Sequence, residues 1–162
     1  MKRTLTVAAV VATATAIGVA AVVATAATST DPVPTVAREI LATSKPANTP
    51  GYTLYLVRVT AMPGAVLAKH YHPGTQNAYV VSGSVRYTVF KGAARVFHGP
   101  ADTATKPYKV ITAGHSGLLV PGDWLVETTS LVHQAQVTSP GPFVVLISAL
   151  FKTGEGLAVP VQ

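Results

Sequence analysis

The 162-residue chain contains no cysteine. Disulfides, thiolate metal sites and a lipid anchor on cysteine are all excluded. Charge is also scarce, at 11% of residues, with only six acidic side chains. The basic residues are scattered and no aromatic platform is interleaved with them, which argues against nucleic-acid binding. No phosphate-binding or dinucleotide glycine loop occurs. Ser82 and Ser84 flank Gly83, but this is not the G-x-S-x-G of a nucleophile elbow. After Tyr52 no stretch carries a helical period of apolar residues.

Hydrophobic residues make up 49% of the chain, a figure raised by one segment at the start. Met1-Lys2-Arg3 is basic, an uncharged Ala/Val/Thr run follows, and Ala24-Thr25-Ala26 ends it in small residues. A basic, then apolar, then small-residue order predicts a secretory signal peptide over residues 1–26. The alternative is an uncleaved membrane anchor, since the run is just long enough to span a bilayer. Either way the domain is expected outside the cytoplasm, secreted or in the cell envelope. Without Lys2 and Arg3 the formal charge of +6 falls to +4, ten basic against six acidic residues. Such a balance implies only a mild pull towards anionic partners.

Residues 27–51 read as a linker and lead-in, with "TVAREILATS" as a short helix or an edge strand and "KPANTPG" as a turn cluster. From Tyr52 the chain turns strand-like. Short segments rich in Val, Thr and Tyr stop repeatedly at Gly or Pro: Pro63-Gly64, Pro73-Gly74, Gly83, Gly92, Gly99-Pro100, Gly114, Pro121-Gly122 and Pro140-Gly141-Pro142. Many short strands with regular turn punctuation predict an all-β sandwich, jelly roll or barrel. Residues 99–107 are expected as a loop between its two halves, and residues 152–162 as a C-terminal tail.

Two of the five histidines stand in "HYHPGTQ", at His70 and His72. Side chains two apart on a strand point to the same face, so both imidazoles converge and can grip one divalent metal. The amide oxygen of Gln76 is a candidate third donor. The bland alternative is a pair of surface histidines.

The spacing extends the pattern. Gly64, five residues, His70-Tyr71-His72, three residues, Gln76, six residues and Gly83 resemble the first motif of the cupin superfamily, with glutamine where that motif carries glutamate. Gly122, five residues, Thr128, Thr129, Ser130, two residues and His133 resemble the second, with Thr128 and Ser130 replacing its proline and glycine. The resemblance covers residues 52–151. It implies a double-stranded β-helix, the cupin jelly-roll barrel, with His70, His72, Gln76 and His133 as metal ligands. Ligand type does not choose among Fe, Mn, Zn, Ni and Cu.

Glutamine is neutral and takes up no proton usefully near pH 7. Three imidazoles and an amide would leave the full charge of the ion uncompensated, which suits Lewis-acid or O₂ chemistry and leaves any acid–base step to another group. The other reading is a degenerate site without metal. His98 and His115 are expected as exposed loop residues, and Trp124 as a core or rim aromatic. Tyr71, Tyr79 and Tyr87 are expected mainly to pack. Glu127 is expected at the surface or in an ion pair, with a place in the pocket as the missing base as the alternative.

The expected function is therefore a small secreted metal-binding cupin acting on a small organic molecule, dioxygenase-like. The alternatives are a non-catalytic small-ligand or sugar-binding module, and a structural cell-envelope protein. A homodimer is the partner the resemblance implies.

Overall fold

The computed structural model describes residues 36–162. The expected signal peptide and residues 27–35 of the linker lie outside the described residues. Two antiparallel sheets account for the architecture, and no helix occurs among the described residues. The larger sheet runs in the order β1 (Val36–Ser44), β2 (Tyr52–Ala61), β11 (Phe143–Lys152), β4 (Gly74–Ser82), β9 (Asp123–Glu127), β6 (Ala93–His98), β7 (Lys109–Thr112). The smaller sheet runs β12 (Val159–Pro160), β3 (Val66–Tyr71), β10 (Val132–Val137), β5 (Val85–Lys91), β8 (Ser116–Leu119).

Strict alternation places the core. On β2, Val57, Val59 and Ala61 are buried while Leu54, Leu56 and Arg58 are exposed. On β5, Val85, Tyr87 and Val89 turn inward, and on β10 His133, Ala135 and Val137 do the same. These inward faces from both sheets join in one apolar cluster with Val80, Val96 and Leu125. Each buried Val or Leu side chain among them contributes about 1.5–3 kcal/mol by leaving water. The same period carries functional side chains inward at defined positions, which is how the site arises.

The barrel reaches further at both ends than residues 52–151. Residues 36–44 form an edge strand, not a helix or a linker, in register with β2 from Val36↔Ala61 to Ser44↔Leu54. The strand is exposed along almost its whole length, as an edge is, and a bulge between Ile40 and Ala42 interrupts it. The tail also returns to the smaller sheet, where Val159 pairs with Tyr71 and Pro160 with His70. The loop expected at residues 99–107 lies between β6 and β7.

Gly83, the last position of the first motif, adopts φ +71°, where L side chains are strained. A Cβ there would stand 2.6 Å from the Pro142 carbonyl oxygen and 2.8 Å from the Phe143 Cα. The glycine thus lets the β4–β5 turn pass against the start of β11.

Candidate metal centre

His70 and His133 face each other across the smaller sheet, directly paired in the β3–β10 register. His72 follows β3 by one residue, just before Pro73-Gly74. A Cβ on Gly74 would lie 2.2 Å from the Leu150 carbonyl oxygen, so only glycine lets the chain turn this tightly against β11. The three imidazoles are buried, and one ring nitrogen from each lies within 4.8 Å of the others. An ion bound at about 2.1 Å from each nitrogen would set them about 3–3.4 Å apart, so a small contraction completes the site.

Two of the rings are held in one tautomer. His70 Nδ1 donates to the Ala68 carbonyl at 2.6 Å, and His72 Nδ1 donates to the Leu157 carbonyl at 2.7 Å. A carbonyl only accepts, so both Nδ1 atoms carry a proton and Nε2 is the atom left to bind an ion, the arrangement that metal-bound histidines adopt. Phe151, fully buried, stacks on His72 with centroids 5.8 Å apart, and Tyr87 stacks on His133 at 4.8 Å. His133 Nδ1 is buried with no hydrogen-bond partner among the described residues. Burial pushes the His70 imidazolium down to about 4, helped by the neighbouring His133, and burial lowers His133 as well. Imidazoles that burial disposes to stay neutral, as it does His70 and His133, fit a divalent ion.

Gln76 and Glu127 come from the opposite, larger sheet, where they are direct partners in the β4–β9 register. Gln76 shares the pocket with the histidines, but its amide nitrogen is what faces them. It donates to His72 Nε2 at 3.0 Å and to Glu127 Oε2. Glu127 is buried in the pocket, not at the surface. Its Oε1 lies 3.3 Å from His133 Nε2, and its Oε2 lies 3.3 Å from His72 Nε2. Tyr87 donates its hydroxyl to Oε1 at 2.5 Å, so this tyrosine does more than pack. Burial opposes ionisation of Glu127, but the neighbouring His133 and His72 and the hydrogen bond from Tyr87 outweigh it and hold the carboxyl well below the usual range. Burial and the adjacent carboxylate push the Tyr87 hydroxyl well up, which keeps it a donor. The negative charge that Gln76 lacks therefore enters the pocket from β9.

Beyond these groups the cavity, about 70 Å³, is lined mostly by apolar side chains, among them Val59, Val80, Phe143 and Ile147. Arg38 on β1 also lines it. His98 and His115 stand apart. His115 is exposed, and His98 donates from Nδ1 to buried Asp123 at 2.8 Å. Asp123 also accepts the Tyr108 hydroxyl and the Val120 amide, and so braces the turn into β9. Trp124 stacks on Phe97 with centroids 4.3 Å apart.

No protein-family model matches the chain, and no curated protein does either. Solved structures do resemble it. The KdgF structure from Halomonas sp. is 25% identical, with a TM-score of 0.47 over 73% of this chain and 82% of that one. A cupin superfamily protein from Desulfitobacterium hafniense is 16% identical, with a TM-score of 0.47 over 72% and 77%. A cupin 2 domain-containing protein from Halorhodospira halophila is 14% identical, with a TM-score of 0.50 over 78% of this chain and 70% of that one. The last superposition, joined to the two antiparallel sheets enclosing one core, establishes that the chain has the cupin fold.

Proposed function

We propose that the chain is a small metal-binding cupin that acts on a small, largely apolar organic molecule bearing an anionic group. The observation that carries this reading is the set of three buried imidazoles, two of them pinned through Nδ1 so that Nε2 is the atom turned to the pocket. His70, His72 and His133 would hold the ion, with Gln76 beside them. A divalent transition metal bound there would supply Lewis-acid or O₂-directed chemistry, of which dioxygenase-like turnover is the reading we favour.

The chain's own groups divide the remaining tasks. The apolar lining excludes water and takes the body of the substrate. Arg38 offers a guanidinium for a carboxylate or similar anion. Glu127, anionic and hydrogen-bonded by Tyr87, sets a fixed negative charge beside the histidines. A non-catalytic binding module is the second reading, favoured by the Gln76 amide, which already satisfies His72 and Glu127 together.

We also place the protein outside the cytoplasm, on the strength of its N-terminal segment. We propose a homodimer, supported by Leu54, Leu56, Tyr79, Val81 and Val126, all exposed on the larger sheet.

Metal content measured by mass spectrometry, on protein purified without chelator, tests the central reading. About one metal per chain is expected, lost in both His70→Ala and His133→Ala. No metal even after reconstitution would overturn it. Oxygen uptake with candidate organic anions then separates turnover from binding alone.

A further inference from the structure

We infer that Glu127 is the carboxylate ligand of this centre, contributed by β9 in place of the glutamate that Gln76 replaces. The inference rests on the three-histidine reading above. Four observations about the chain's own residues lead to it.

First, Gln76 and Glu127 are direct cross-strand partners, so moving the carboxylate between them shifts it by one strand spacing, about 5 Å, within the same wall. Second, each carboxylate oxygen lies 3.3 Å from a different imidazole Nε2, Oε1 from His133 and Oε2 from His72. Such separations are close to the roughly 3 Å expected between neighbouring donors on one ion. Third, the Nδ1 bond to Leu157 leaves His72 Nε2, the ring atom able to bind an ion, facing Glu127. The donor that reaches both acceptors is the uncharged Gln76 amide nitrogen, and an ion bound by both would supply the positive charge that the amide lacks. Fourth, each oxygen accepts from one uncharged donor, Tyr87 on Oε1 and Gln76 on Oε2, which leaves further lone pairs on both.

The buried carboxylate also needs a cation. Among the described residues no Lys or Arg pairs with it, only the two histidines. Burying an anion without a partner is costly, and an ion shared with the imidazoles supplies the missing charge. Tyr87 and Gln76 are then positioning residues that aim the carboxylate, the role outer hydrogen bonds play around bound metals. Glu127 touches two of the three histidines, so it closes the site from the His72 and His133 side.

The test is Co²⁺ binding by the purified metal-free protein, read as a dissociation constant by chelator competition and as the visible spectrum of the bound ion. Glu127→Gln is expected to weaken binding by more than about 100-fold, beyond the roughly 10–100-fold that loss of an outer hydrogen bond causes, and to change the spectrum. The exchange variant Gln76→Glu/Glu127→Gln, which keeps the charge and moves it one strand, is expected to recover most of the affinity. A Glu127→Gln protein with an unchanged Co²⁺ spectrum, alongside a His133→Ala protein that binds none, would overturn the inference and leave the three-histidine reading standing. A parent protein that binds no Co²⁺ would overturn both. Should Glu127→Gln not fold, a crystal structure of the Co²⁺-loaded parent decides: a Glu127 oxygen about 2.0–2.2 Å from the ion supports the assignment, and one beyond about 3 Å refutes it.

Discussion

Restoring the glutamate of the first motif, Gln76→Glu, should damage the metal-free protein rather than improve it. Gln76 stands in register with Glu127 and donates an amide hydrogen to it. The substitution removes that donor and sets a second carboxylate against the first in a buried site. Two unit charges at about 4 Å repel by about 4 kcal/mol at an effective dielectric of 20. The pair can instead take up one proton, which at pH 7 costs about 3.7 kcal/mol for a carboxyl that ordinarily titrates near 4.3. Either route removes about 4 kcal/mol, a large share of the roughly 5–15 kcal/mol that holds a domain folded. The sign with pH follows from the retained proton. The folded pair binds a proton that the unfolded chain does not hold at pH 7, so the deficit grows by about 1.4 kcal/mol per pH unit from about 5 to about 7 and levels off where ionisation of both groups takes over. Urea unfolding of parent and variant at pH 5, 6, 7 and 8, with chelator present, reads this directly. Added divalent metal should shrink the gap, because an ion between the carboxylates removes the repulsion. A variant as stable as the parent at pH 8, with no dependence on pH, would refute the placement of these two side chains.

The metal-free parent should itself lose stability in acid. His70 titrates near 4 when folded, against its ordinary 6.5, so its contribution, about 3 kcal/mol, is complete above pH 6.5 and is lost as pH falls towards 4. The depressed Glu127 adds a loss of the same sign below about pH 4.5; unfolding midpoints that stay level from pH 7 to 4 would contradict the first, and ones level from pH 4.5 to 2.5 the second. Gly83→Ala should cost about 3 kcal/mol or more, from the left-handed backbone and the clash with the Pro142–Phe143 backbone, measured as a lowered Tm. Asp123→Asn should cost about 2 kcal/mol, because an amide has one acceptor oxygen for donors that now reach both carboxylate oxygens, and metal affinity should hold.

Much of the fold was legible because strand alternation and turn chemistry are local. "YTLYLVRVTA" predicts β2 from end to end, and Gly83 and Gly122, both at positive φ, mark turns that the residues themselves demand. The H-x-H period likewise puts His70 and His72 on one side by backbone geometry alone. Alternation does not say which side is inside, and β9 shows the consequence. In "DWLVE" the apolar rule favours Trp124 and Val126 as the inward pair, yet Asp123, Leu125 and Glu127 are buried and Val126 is exposed. Asp123 can face inward because Tyr108, His98 and the Val120 amide satisfy it, and Glu127 because Tyr87, Gln76 and two histidines do.

By itself, then, the sequence determined the strands, their turns and the shared face of the first two imidazoles, since each depends on neighbours a few residues away. Only the tertiary structure decided the charge of the pocket. Gln76 meets Glu127 across 51 positions of chain, and His72 is oriented by Leu157 across 85. Those partners are chosen by strand order and register, which no local pattern encodes.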